Sequence, residues 1–264
     1  QEGDKIYYHN DGLIRWFGGF SQLEYDNNNI TAFINLTGSQ SSYKRIDYFH
    51  KKDLVFGDTI MTQVIGINDT IIHNGQQYTI DSEEARFTET NWVNFPGFTI
   101  KMGSNWNIDE LNNIFINTGF LSKAPKFNYV FNRDNQLYSN VTNEIIKAIE
   151  LGYGYRSSIF ALNFNAYHTI WENKPQSGSV EIGGDRVPFY IPDMDALHQG
   201  IELDFAWKIS NAFKYEFFTS IGDWKWTSEG EATIELADTI ETRSVNAKGL
   251  YVGDSPQTQV GSSI

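Results

Sequence analysis

The chain has 264 residues and a formal net charge of -13, with no basic run longer than Lys51-Lys52, which excludes a general nucleic-acid binder because phosphate contact needs clustered Lys and Arg. The absence of cysteine excludes a disulfide scaffold, Cys-type zinc sites and thiol catalysis, and the lack of a 20-residue apolar run excludes a helical membrane span. With 22 Gly, 14 Tyr, 19 Phe and 7 Trp against 6 Pro, the composition favours an aromatic-rich β protein.

Gln1-Glu2-Gly3-Asp4 has neither the basic start nor the apolar stretch of a targeting peptide, so any export signal is expected to have been removed or to lie outside this sequence. Downstream, period-two alternation predicts nine strands: Gly12 to Tyr25, Ile30 to Tyr43, Gly97 to Ile108, Asn113 to Ser122, Ile146 to Arg156, Ile159 to Trp171, Gln199 to Lys208, Ala212 to Trp226, and one beginning at Gln257. In the third, Phe98, Ile100, Met102, Trp106 and Ile108 fall on one side, with Ser104 the dissenter, and Thr99, Lys101, Gly103, Asn105 and Asn107 on the other. The fifth sets Ile149, Leu151, Tyr153 and Tyr155 against Ala148, Glu150, Gly152 and Gly154, and the seventh sets Ile201, Leu203, Phe205 and Trp207 against Glu202, Asp204 and Ala206.

Short turns (Asp26 to Asn29, Asp109 to Asn112, Ser157-Ser158, Ile209 to Asn211) alternate with long connections (Lys44 to Pro96, Lys123 to Ile145, Glu172 to His198, Thr227 to Pro256). That rhythm puts every short turn at one end of an antiparallel meander, the polarity of an outer-membrane barrel with short periplasmic turns and long extracellular loops. A soluble sandwich or adhesin also alternates, but its strands run about 5 to 6 residues, while membrane-crossing strands need roughly 9 to 11. Most of the nine reach the longer class. Trp92, Trp171, Trp224 and Trp226 fall toward the long-loop ends and Trp106 and Trp207 toward the short turns, where interfacial girdles would sit.

The run Asn113 to Phe131, with Leu121-Ser122-Lys123-Ala124-Pro125 leading into a loop, resembles the strand-loop signature of TonB-dependent outer-membrane receptors, Lys123 standing where the family has Arg. Asn140 to Trp171 is similar to the family's acidic anchor, its Glu150-Leu151-Gly152 strand and the next hairpin; His198 to Trp226 and Val252 to Gly261 resemble the strands that follow. The resemblance covers most of Trp92 to Ile264 and, more loosely, Leu13 to Phe49. It implies one antiparallel transmembrane β-barrel domain of which residues 1–264 are a part, with Lys44 to Pro96 a long extracellular loop. The plug domain, its energy-coupling segment and the terminal aromatic strand are not found, and nine strands fall short of the family's roughly 22, so a middle-to-late slice of a barrel is expected.

The same resemblance implies active uptake of a scarce nutrient (iron chelate, cobalamin, glycan or peptide) at the cell outer membrane. The implied partners are outer-membrane lipid, an inner-membrane TonB complex acting through the plug, and a surface lipoprotein. A small structural or adhesive barrel and a secreted soluble β-rich binding module are the alternatives. In a barrel, Lys101, Asn105, Glu150, Glu202 and Asp204 are expected to face the lumen or plug, since a charged Lys or Arg on the lipid face at mid-depth costs roughly 2–4 kcal/mol. Ligand contact is expected from the loops, and Asp58 to Ile80 should hold a hairpin around Asn74-Gly75.

No catalytic residue, cofactor or metal site is expected. His9, His50, His73, His168 and His198 lack ligand spacing, Gly183-Gly184 lacks a phosphate-loop context, and Glu83-Glu84 and Asp193 with Asp195 lack EF-hand spacing. Asp58-Thr59-Ile60, Asp69-Thr70-Ile71 and Asp238-Thr239-Ile240 resemble an Asp-Thr-aliphatic O-glycosylation acceptor.

Overall fold

The structure, a computed structural model, describes residues 9–61, 63–132, 135–236, 240–253 and 255–264. Gln1 to Asp4 and the Asp238-Thr239 pair lie outside the described residues. In chain order the strands are β1 (Asn10–Asp26), β2 (Ile30–Phe56), β3 (Thr59–Ile60), β4 (Ile65–Gly66), β5 (Ile71–His73), β6 (Gln76–Tyr78), β7 (Ala85–Glu89), β8 (Val93–Asn107), β9 (Asn112–Lys123), β10 (Glu144–Arg156), β11 (Phe160–Ile182), β12 (Asp185–Lys208), β13 (Lys214–Trp226), β14 (Gly230–Glu235), β15 (Ile240–Val245) and β16 (Thr258–Ser263). They form two compact units. One holds the described residues up to 17 with Gln40–Phe95 and Pro125–Val141; the other holds Gly18–Ser39, Pro96–Ala124 and Thr142–Ile264.

The larger unit is a wall of antiparallel strands. Its sheet runs β1-β2-β8-β9-β10-β11-β12-β13-β16, the nine strands read from alternation, in the same order. Among the described residues its end strands, β1 and β16, are not paired to each other, so the sheet is open. Four short turns share one edge, and each opens on a side chain that folds back onto the backbone. Asn27 Oδ1 accepts from the N–H of Asn29 (2.9 Å) and Ile30 (2.8 Å), and Asp109 Oδ1 from Leu111 and Asn112 (both 2.8 Å). Ser157 Oγ accepts from Phe160 N–H (3.0 Å), and Ser210 Oγ from Ala212 and Phe213 (both 3.2 Å). These are the local side-chain bonds for which Asn, Asp and Ser are favoured in turns. Successive turns are also tied to one another, Asn107 N–H to Asn29 O (2.7 Å), Arg156 N–H to Leu111 O (2.8 Å) and Lys208 N–H to Ile159 O (2.8 Å).

The Asp109 carboxyl is held below its usual range, first by the Leu111 N–H bond and then by the Asn112 side chain. A depressed pKa means that the turn keeps this support at neutral pH and loses it as pH falls through the folded-state value. Asp109→Ala should therefore speed exchange of the Leu111 and Asn112 amides by roughly fivefold at pH 7, measured against intrinsic rates, with little effect elsewhere.

Cross-strand partners share a face, so the register sorts every side chain of the wall. Leu151 pairs with Ile116 and Ala166, Ala166 with Ile201, and Ile201 with Ile221, making one apolar row. Phe98, Met102, Ile116, Ile149, Leu151, Ile201 and Ile221 belong to this face, each between 43% and 57% exposed. Toward the short turns the face ends in contacting rings: Tyr155 to Phe160 (6.1 Å between centroids), Phe160 to Phe205 (5.7 Å), and Phe205 to Tyr215 (5.8 Å) and Phe217 (5.4 Å). Trp106 and Trp207 stand with them. Ser104, the polar residue in the β8 series, is satisfied by donating to Thr31 O (3.2 Å), and the row beside it becomes polar along its length, from Thr118 through His168 and Gln199 to Asp223.

Three expectations are corrected. Glu172 to His198 is not a loop: β11 and β12 continue as one hairpin closed by Gly183-Gly184, with φ of 63° and 92°. Two residues with positive φ give a turn whose twist matches the strands, a conformation that Gly adopts without steric cost. Within Thr227 to Pro256, β14 and β15 form a hairpin that pairs with β12, and Ile191, Met194, Ala232 and Ala247 make a small core. Finally, Trp171, Trp224 and Trp226 lie on the polar face, opposite the exposed apolar rows.

The smaller unit contains most of what was expected as the Lys44 to Pro96 loop, and it is folded. The distal half of β2 pairs with β3, β4 and β7, and Leu54, Ile65, Ile71, Tyr78 and Ala85 form a core with Phe56 and Met61. The β5–β6 hairpin turns at Asn74-Gly75 (φ 50° and 80°), as its sequence predicts. Pro125–Val141 belongs to this unit, anchored by fully buried Val130 and by Tyr43 OH donating to Pro125 O (2.9 Å). Thr59 and Thr70, in two of the acceptor-like tripeptides, are exposed.

Candidate functional site

The polar face of the wall gathers the side chains whose chemistry needs water. One row runs Asn105, Phe115, Gly152, Asn165, Glu202, Ser220, Gln259. Lys101, Asn105, Glu150, Glu202 and Asp204 all lie on this face, in four successive rows: Lys101 in the first, Glu150 in the second, Asn105 and Glu202 in the third, Asp204 in the fourth. Asn105 Oδ1 accepts from Asn113 Nδ2 (2.6 Å), Glu150 Oε2 from Asn117 Nδ2 (3.1 Å) and Asp204 Oδ2 from Asn163 Nδ2 (2.8 Å). Lys101 and Glu202 make no hydrogen bond or ion pair among the described residues. Amide-carboxylate pairs thus fix part of the surface while two charges stay available. Near the short turns, Asn28, Asn29, Asp109, Asn112, Arg156 and Asn163 line a polar recess of about 630 Å³.

Rings on this face lie over glycines of the adjacent strand. A Cβ at Gly103 would strike Phe33, one at Gly152 Phe115, one at Gly200 Tyr167, and one at Gly261 Phe218. The missing side chain is the seat for the ring, which keeps large aromatics flat against a hydrated wall. Gly152→Val should force Phe115 and Asn165 aside and cost about 1–3 kcal/mol, read as a lower urea midpoint for the refolded protein.

At the opposite end of the face stands a cluster that sequence reasoning placed on the wrong side. His198 lies between Trp171 (6.2 Å) and Trp224 (5.5 Å), and Trp224 Nε1 donates to Tyr167 OH (2.8 Å). Lys174 Nζ sits 4.2 Å from the Trp171 ring centre and 5.8 Å from that of Trp226. Nearly buried Glu144 accepts from Trp171 Nε1 (3.0 Å) and pairs with Lys123 Nζ (3.1 Å). The Lys of the Lys-Ala-Pro element and the acid that follows its loop are therefore ion-paired. Among the described residues, His198 Nδ1 and Asn165 Oδ1 are buried without a hydrogen-bond partner.

The remaining candidates stay apart. His73 stacks on Phe56 (4.7 Å), His9 lies tilted against Tyr48 (4.8 Å), and His168 Nδ1 meets Gln199 Oε1 (3.2 Å); the side chain of His50 is outside the described set. Asp195 accepts from Asn173 N–H (3.0 Å), a bond within the long hairpin. Among the described residues no group of three or more His, Asp or Glu is arranged to hold a metal ion.

A two-faced antiparallel wall with exposed apolar rows, an aromatic fringe and a polar reverse side is the fold of an outer-membrane β-barrel, here as an open segment. Among solved structures the chain is similar to the copper transporter OprC, with a TM-score of 0.61 and 12% sequence identity over 86% of this chain. It spans 34% of that protein's length. No family profile matches the chain, and no curated protein matches it significantly.

Proposed function

We propose that the chain is part of the barrel of a TonB-dependent outer-membrane transporter that takes up a scarce nutrient. The observation that carries this reading is the two-faced wall: apolar rows left exposed on one side, joined by Lys147, His168, Gln199, Asp223 and Lys225 only toward the long-connection end, and Lys101, Asn105, Glu150, Glu202 and Asp204 together on the other. Exposed apolar rows several strands wide are costly in water and favourable in hydrocarbon, and the opposite face then borders a wet lumen occupied by a plug. In this reading the smaller unit is the extracellular capture surface. An inner-membrane TonB complex acts through the plug, and a surface lipoprotein can cover the mouth. Nothing in the barrel wall needs to break a bond: the work is binding, exclusion of water from the wrong face, and passage.

The test is fractionation and transport with the complete gene product. Outer-membrane location, a heat-modifiable band on gels, and nutrient-dependent growth lost on deleting either this gene or the energy-transducing component are expected. A chain that stays in the soluble fraction and is monodisperse without detergent would overturn the reading.

A further inference from the structure

The smaller unit contains a recess of about 380 Å³ lined by Asn10, Arg45, Phe127, Asn128, Asn132 and Tyr138. That volume is within the roughly 300–1,000 Å³ of small-molecule sites. The geometry points to a binding site for a neutral saccharide, taking one end of a sugar chain.

Three features support this. First, the recess is built before any ligand arrives. Gly12 leaves room for the Phe127 ring, which a Cβ there would meet at 2.9 Å, and Phe127 packs edge-on to Tyr43 and Phe131 (both 5.8 Å). Asn132 Oδ1 accepts from Gln136 N–H (2.8 Å), which locks its amide. Second, hydrogen-bonding capacity remains. Arg45 Nη1 donates to Asn132 O (2.7 Å), and Nη2 donates to Asn10 Oδ1 (2.6 Å) in the amide orientation that satisfies both groups. Two of the five guanidinium N–H groups are used, and the Asn128 amide is exposed with no partner among the described residues. An amide that both donates and accepts, beside a forked donor, matches adjacent hydroxyls, while the apolar face of a sugar ring packs on an aromatic wall.

Third, the charge is balanced. The same Asn10 amide donates to buried Asp47 (3.1 and 3.3 Å), so one side chain bridges Arg45 to a carboxylate. An anion entering the recess meets that offset charge and a chain of net -13, so a neutral ligand is favoured over an organic acid or an anionic chelate.

The inference rests on reading the smaller unit as a capture surface, and its test separates the two. The complete gene product, extracted in detergent and checked for heat-modifiability, is applied to an array of neutral oligosaccharides alongside uronate-containing ones, citrate and ferric citrate. Binding to a neutral oligosaccharide that falls at least tenfold in Asn128→Ala, with Asn128→Gln intermediate and both variants still heat-modifiable, is the expected result. No neutral glycan bound at millimolar concentration, preference for the acidic probes, or full binding by Asn128→Ala overturns the saccharide site while leaving the barrel reading intact. Loss of heat-modifiability in the unmutated protein instead removes the barrel, and with it the basis of the inference.

Discussion

Leu151→Arg should abolish assembly, whereas Glu202→Arg should be tolerated, although the two positions lie one row apart on strands separated only by β11. Leu151 is 57% exposed in the middle of the apolar face, flanked by Ile116 and Ala166. An arginine there must place its guanidinium in hydrocarbon at about 2–4 kcal/mol, a population shift of roughly 30- to 1,000-fold against the inserted state. At Glu202 the same side chain enters a row of Asn165, Ser220 and water, where the cost is that of rearranging a solvated surface. The fraction migrating as the folded band on unheated gels reads both outcomes. Equal loss in the two variants would mean that the faces are not differently solvated, and the proposed transport role would fail with them.

Glu144→Ala should be the most damaging change on the polar face. Its carboxylate holds Lys123 and Trp171 at once, and its side chain is 5% exposed against 45% for Lys123. Removing one member of a buried ion pair costs about 3–5 kcal/mol, reduced here to about 2 kcal/mol because water screens the half-exposed lysine. Loss of the acceptor for Trp171 Nε1 adds about 1 kcal/mol. Glu144→Gln keeps an acceptor for the indole but not the ion pair, and should recover about a third of the loss. Urea titration followed by tryptophan fluorescence separates these cases, since Trp171 reports directly on the site.

The nine strands of the main path, their order and their faces were legible because a half-exposed strand repeats every two residues, and the repeat survives translation into coordinates; the short strands β3, β4, β7, β14 and β15 were not. Phe98 to Trp106 and Ile201 to Trp207 needed no tertiary information. The extent of β2, β11 and β12 was not legible, because past the apolar band both faces become mixed and the period fades. Bulges between Trp171 and Lys174 and between Lys174 and Gln176 interrupt it further. The tryptophans were misplaced for a different reason. Distance from a turn sets depth along a strand, but parity sets face: Trp171 is out of step with Phe160, Leu162 and Phe164, and Trp224 and Trp226 with Tyr215, Phe217 and Ile221. Counting parity would have moved all three. The recess around Arg45 joins segments more than 80 residues apart, and no local pattern announces it.

Because each short turn hydrogen-bonds to the one before, a residue inserted at Ser157-Ser158 would shift every later hairpin and exchange its oily and wet sides. At the opposite margin β11 and β12 run well past their neighbours, beyond the bonds that Glu144, Asn143 and Asn173 make there, and end in a two-glycine tip. Descendants of this sequence are free to lengthen, trim or replace those outgrowths while the staves beneath keep their count, so variation would be written at one rim and architecture preserved at the other.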